Sequence, residues 1–172
     1  MKSKVLLIYS WFVRSLLFFL PDMPILMRFR GFLYSFGMAS CGKDFQITHD
    51  AILRGLQNLS VGNNVFIGNH TILLASAKIK IEDEVLIAPH CTIVSGDHTS
   101  LNESFRYGPS KTGEIFIAQG SWIGAHCTVA MNSVVPKGSV LGANSFLNKK
   151  FNQEKSLCAG SPAKLIGYNY DK

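Results

Sequence analysis

Aliphatic residues recur every six positions along most of this chain, and few folds can use such a period. Ile47, Leu53 and Leu59 form the first run, followed by Val61, Ile67, Leu73 and Ile79, then Ile81, Ile87 and Ile93. After a gap the period resumes with Ile117, Ile123, Val129, Val135, Leu141 and Leu147. A helix repeats at 3.6 residues and a strand at 2, and the residues between these aliphatics follow neither rule. Small residues follow several of them (Gly62, Gly68, Ala88, Ala118, Gly124, Gly142), and a second apolar or small residue often stands four after the first (Val85, Cys91, Ser121, Cys127, Ser133, Ser139). Two-residue shifts of the form aliphatic-x-aliphatic separate the runs, as in Leu59-Ser60-Val61, Ile79-Lys80-Ile81 and Ile115-Phe116-Ile117.

A six-residue period marks a parallel β-helix, in which three short strands make one triangular coil of about 18 residues around a stacked core. The fold expected is therefore all-β. Five or so coils, at the usual spacing between neighbouring strands, make a prism on the order of 24 Å tall. The period breaks after Ile93-Val94 with Ser95-Gly96-Asp97-His98 and resumes at Ile115, so a protruding loop of about 99–114 is expected. A stretch of that length without structure is uncommon unless it has a function.

The amino terminus is different in kind. Val5 to Leu20 is strongly apolar, with Lys2 and Lys4 ahead of it and Arg14 inside. Sixteen residues fall short of the roughly 20 needed to span a bilayer, and Pro21-Asp22-Met23-Pro24 does not resemble a signal cleavage site. The expectation is a helix in the membrane interface or at a subunit contact, with a buried core helix as the alternative. Residues 1–40 are thus read as an apolar, basic helical segment and 41–172 as the repeat domain with its tail.

The 172 residues carry a net charge of +6, unevenly placed. Residues 1–30 hold five basic and one acidic residue, residues 149–172 five and two, and the stretch between sums to −1. A basic stripe along the body, the footprint of nucleic-acid binding, is absent. Cys41, Cys91, Cys127 and Cys158 form no CxxC and read as reduced thiols. A cytoplasmic protein, at the inner face of the membrane, is the expectation.

VGNNVFIGNHTIL, IEDEVLIAPHCTIVSGDH, IAQGSWIGAHCTVAMNSVVPKGSVLGANS and CAGSPAKLIG together resemble the hexapeptide-repeat acyltransferases over about residues 40–168. The likeness is greatest to the galactoside and maltose O-acetyltransferase group and to relatives that modify bacterial surface polysaccharides. The resemblance implies a left-handed helix, a homotrimer with active sites between subunits, and acetyl coenzyme A as co-substrate without a metal. His98, in SGDH, matches the family's catalytic base; imidazole titrates near neutrality and suits proton removal from a hydroxyl. Asp97 or Glu103 would orient it. The backbone N–H of Ala125 would stabilise the oxyanion. Trp122, Gly124, Gly142, Ala143, Asn148, Lys149, Lys150 and Lys164 fall where the family contacts the coenzyme. Departures are Ala125 where Ser is common, Gly167 where a second basic residue is common, and Gly68 where the family has an acceptor-side Asn.

An O-acetyltransferase acting on a carbohydrate hydroxyl is the reading these residues favour. Rival readings are N-acetyl transfer to an amino sugar, a scaffold without activity, and a zinc hydratase resembling the γ-class carbonic anhydrases. The last would use His90 and His126, 36 residues apart and so two coils apart, but the third His it requires is Met131. His70, His90 and His126 are instead expected at the outward coil position shared by Asn64, Glu84 and Asn132.

Overall fold

A computed structural model describes residues 2–168; Met1 and residues 169–172, which the 1–40 and 41–172 segments take in, lie outside the described residues. From residue 40 onward the chain winds as a parallel β-helix with three faces. The first face stacks Ser40–Cys41, Leu59–Val61, Ile79–Ile81, Ile115–Ile117 and Val134–Val135. The second stacks Gln46–Ile47, Phe66–Ile67, Leu86–Ile87, Trp122–Ile123, Val140–Leu141 and Ser156–Ala159, and is closed by the antiparallel strand Lys164–Tyr168. Ile52–Arg54, Ile72–Leu74, Thr92–Val94, Thr128–Ala130 and Phe146–Leu147 make the third.

Each periodic aliphatic pairs with its counterpart one coil away. Leu53, Leu73, Ile93, Val129 and Leu147 form one column, and Ile47, Ile67, Ile87, Ile123, Leu141 and Cys158 another. These side chains are essentially inaccessible to water. The second inward residue of each repeat is small for a reason. At these corners Thr71, Ser121 and Ser133 are buried, and their hydroxyls donate to the carbonyls of Ala88, Pro136 and Leu147 at 3.1, 2.7 and 3.1 Å. A buried hydroxyl without such a partner would cost stability.

The coil length differs from the expected 18 residues in the first half. Leu53 pairs with Leu73, and Ile67 with Ile87, so these coils have 20 residues, whereas Ile123 pairs with Leu141 at 18. The aliphatic-x-aliphatic shifts account for the difference. Leu59 and Val61 lie in one strand and are both buried, as are Ile79 and Ile81, so the first face of each early coil is two residues longer.

Two helices precede the coils: α1 (Lys2–Leu17) and α2 (Pro24–Ser35), the latter started by a proline, whose missing N–H costs nothing at a first turn. Tyr9 donates to the Leu33 carbonyl at 2.6 Å, joining α1 to α2, and Ser10 donates to the Leu53 carbonyl, joining α1 to the first coil. Arg30 of α2 is buried and ion-paired to Asp22 at 2.8 Å, and also donates to the carbonyls of Leu20, Pro21 and Ile47. The alternative of a buried core helix for residues 5–20 is not what forms. Val13 and Leu17 are buried, but Val5, Ile8, Trp11, Phe12 and Leu16 face outward. None of the helices among the described residues is long and apolar enough to cross a membrane.

Asp22 carries much of this junction. Burial alone would raise its pKa, but hydrogen bonds from His49 and Asn69 outweigh that and hold the carboxyl below the ordinary aspartate range. A depressed folded-state pKa contributes stability that is present above the unfolded value, near 3.9, and is lost as pH falls through the folded value. Replacing Asp22 by Asn is therefore expected to destabilise the protein at pH 6 and to make less difference at pH 2, read by thermal melting at both. Gly31 tests the packing of α2. A Cβ there would lie 2.0 Å from the Phe45 carbonyl oxygen, so Gly31→Ala should cost about 1–3 kcal/mol, while Gly167→Ala, with open space around it, should be nearly neutral.

Candidate functional site

The repeat brings turn residues into rows as it brings aliphatics into columns. Asn64, His70, Glu84, His90, His126 and Asn132 all have φ between 55° and 62°, the left-handed conformation that a tight coil corner requires. The three histidines therefore do share the outward position of Asn64, Glu84 and Asn132. Their separation, however, is one coil and not two. Ile93 pairs directly with Val129, so the chain between them leaves the helix and returns without using up a coil. His90 and His126 stack at 4.7 Å between ring centroids with planes 3° apart, and His70 lies 4.7 Å from His90. Imidazoles stacked face to face do not converge on a point, and no group of three or more metal-ligating side chains occurs among the described residues.

The protruding loop has regular structure where it leaves the coils. Its root is a β-hairpin, Gly96–His98 antiparallel to Ser110–Thr112, with Asp97 opposite Lys111 and His98 opposite Ser110. The Gly113 N–H donates to the Ser95 carbonyl at 3.0 Å, so the two ends of the excursion are joined where they meet the coils. Its strands are too polar to show hydrophobic alternation, which is why periodicity missed them.

His98 stands on the first of these strands with an exposed side chain. The Asp97 carboxylate accepts from the backbone N–H of His98 at 2.8 Å rather than from the imidazole. Glu103 sits in the exposed turn beyond with φ 64°. Within one chain, neither acid is bonded to the His98 ring among the described residues.

Ala125 lies at the corner between the second and third faces, in Gly124-Ala125-His126. The carbonyl of Ala125 accepts from Asn144 at 2.9 Å, the Gly124 N–H donates to Leu141 at 2.8 Å and the His126 N–H to Pro89 at 3.1 Å. The Ala125 N–H itself has no acceptor among the described residues. Trp122 stands half exposed on the second face, between Leu86 and Val140 in the outward row that runs from Phe66 to Leu157.

Gly124 has a nearer neighbour than any ligand. A Cβ there would lie 2.7 Å from the Ala143 backbone nitrogen, so Gly124 is required by the next coil. Gly142 is less constrained, its Cβ meeting only the Ala159 side chain at 3.0 Å. Ala143, Asn148, Lys149, Lys150 and Lys164 are all exposed. The Lys149 ammonium lies 5.1 Å from the Phe151 ring centroid, which holds one cation against the last coils.

Cys91 and Cys127 are buried, and burial pushes the Cys91 thiol up to about 11, away from the thiolate that a nucleophile needs. One polar cluster escaped the sequence reading altogether. Asp22, from the segment joining the helices, accepts from His49 Nδ1 at 2.8 Å and from Asn69 Nδ2 at 3.0 Å, while Asp50 faces His70 Nδ1 at 3.1 Å. His49 and Asn69 occupy the same corner row as Ala125. Nothing in the linear order joins Asp22 to that row; only the docking of the helices on the first coil does.

No protein-family model matches the chain. Among characterised relatives it is similar to galactoside O-acetyltransferase of Escherichia coli K12, 28% identical over 109 residues that make up 63% of this chain and 53% of the relative. The chain thus spans only about half that protein's length. It is also similar to WbbJ of the same organism, named for O-acetyl transfer in lipopolysaccharide biosynthesis, at 25% identity over 160 residues, 85% of this chain and 80% of the relative. In structure it follows a hexapeptide-repeat acetyltransferase of Vibrio cholerae solved with acetyl coenzyme A, with a TM-score of 0.82 at 22% identity, covering 98% of this chain and 89% of the other. The resemblance to hexapeptide-repeat acyltransferases is borne out, and the fold is theirs.

The glycines give a direct test of what the corner is for. Gly124→Ala is expected to lower the melting temperature by several degrees, because two coils must part. Gly142→Ala should shift it by much less.

Proposed function

We propose that this protein transfers the acetyl group of acetyl coenzyme A to a hydroxyl of a carbohydrate, a cell-surface polysaccharide or its precursor. The observation that carries the reading is that one fold, shared with acetyltransferases, holds both an exposed imidazole at the excursion root and an unengaged N–H at Ala125. The acceptor hydroxyl oxygen attacks the thioester carbonyl carbon as His98 takes its proton. The oxyanion that forms accepts from the Ala125 N–H. The C–S bond then breaks, and the coenzyme A sulfur leaves with the proton that His98 returns. No covalent enzyme intermediate is required, which agrees with the burial of Cys91 and Cys127.

The pantetheine arm lies along the outward row beside Trp122, and Lys149, Lys150 and Lys164 meet the phosphates. His98 follows the third face and Trp122 lies on the second; the homotrimer with sites between subunits is carried over from the resemblance to hexapeptide-repeat acyltransferases. The names of galactoside O-acetyltransferase and WbbJ favour a hydroxyl over an amine as acceptor. The exposed apolar residues of α1 and the basic amino terminus support a peripheral contact with the inner face of a membrane, from the cytoplasmic side.

Calorimetric titration of the purified protein with acetyl coenzyme A in metal-free buffer is expected to show saturable micromolar binding near one per chain. His98→Ala should keep that binding and lose transfer by roughly 10²–10⁴-fold. Absence of heat up to millimolar ligand, at two temperatures and in folded protein, overturns the proposal.

A further inference from the structure

The helices that dock on the first coil leave a large apolar surface with no partner. On α1 the outward residues Val5, Ile8, Phe12 and Leu16 follow helical spacing, continued by Phe19 beyond its end, and on α2 the same is true of Ile25, Phe29 and Phe32, continued by Phe36 at its C-cap. Phe19, just past α1, is 90% exposed and Ile25 69%. Single exposed apolar residues are ordinary, but two parallel stripes on adjoining helices are an interaction surface.

Beside the α1 stripe, a cavity of about 350 Å³ opens between α1 and the first coil. Leu7, Ile8 and Trp11 form its apolar side, and Arg14 and Arg54 its charged side. The Arg14 Nε is buried without a hydrogen-bond partner among the described residues. Among the described residues no carboxylate pairs with Arg14 or Arg54, and none lines the cavity; Asp22 is engaged with Arg30 and His49, and Asp44 with Arg28. The surface therefore presents apolar stripes with unneutralised cations beside them. That is complementary to an anionic bilayer, where acyl chains meet the apolar face and phosphates meet the guanidinium groups.

We infer that the α1–α2 face docks on a membrane bearing anionic phospholipids, and that the Arg14–Arg54 cavity holds a lipid phosphate headgroup. This rests on the peripheral contact proposed above and extends it to α2 and to a specific headgroup site; it does not depend on acetyl transfer. With α1 and α2 lying in the interface, Arg14 reaches the phosphate level while its stem stays among apolar side chains.

Co-sedimentation of the full chain with phosphatidylcholine vesicles, with and without phosphatidylglycerol, tests it. Binding is expected to favour the anionic vesicles, to weaken with salt, and to drop by roughly tenfold or more in Arg14→Gln/Arg54→Gln. Arg54→Gln alone gives a second variant should the partly buried Arg14 be needed for folding, which thermal melting reports. Brominated acyl chains should quench the fluorescence of the wild type and do so less in Trp11→Phe. Equal binding to both vesicle types overturns the headgroup site while leaving the apolar contact standing. No binding to either, with Phe12→Ser lowering the sedimenting mass in lipid-free solution, overturns both and assigns the face to a second copy of the chain.

Discussion

Every inward aliphatic in the coils rests on its counterpart in the coil next to it, and the position of all other groups follows from that contact. The columns through Leu53 and Ile47 give the helix a core only as wide as one side chain from each face. Backbone N–H and carbonyl groups pair from coil to coil along all three faces, so burial leaves few of them unsatisfied. Continuity is the condition. One coil alone has no cover for its column, and it is the neighbour that removes the aliphatic from water. Gly62, Gly68 and Gly124 serve the same contact at the corners, where a Cβ would strike the backbone of the following coil.

The parts of the structure that were legible in the sequence are those set by this contact. Six-residue spacing placed Ile47 through Leu147 inward, and it placed His70, His90 and His126 outward with Asn64 and Glu84. The same spacing misjudged the distance from His90 to His126. Counting along the chain treats an excursion as if it were coil, whereas Ile93 and Val129 pair one coil apart as though the excursion between Ser95 and Gly113 did not exist. The hairpin at the excursion root was hidden for a related reason. Asp97, His98, Lys111 and Thr112 are held by backbone pairing alone and bury no apolar side chain that a pattern could reveal.

The candidate site was legible only where chemistry and position coincide. His98 and Trp122 stand out because an imidazole and an indole occupy marked places in the repeat. What stands beside the His98 ring could not be read in this way: Asp97 turns to the backbone and not to the imidazole. The cluster of Asp22, His49, Asn69 and Asp50 is a product of tertiary docking, since Asp22 arrives from the segment between two helices. The helices themselves are divided in purpose, with Val13, Leu17, Met27 and Tyr34 holding them to the coils while the opposite stripes stay bare.

The closure of the excursion at its root, where Gly113 bonds to Ser95 beside the hairpin, carries a meaning beyond the geometry of one loop. Because the coils before and after the excursion register with each other directly, its contents are free of the constraints that govern the columns. Such a segment can be lengthened, shortened or exchanged without disturbing the rod from which it hangs. A lineage built on this plan can therefore change the length and content of one short interval of its gene while the six-fold rhythm on either side is copied unaltered.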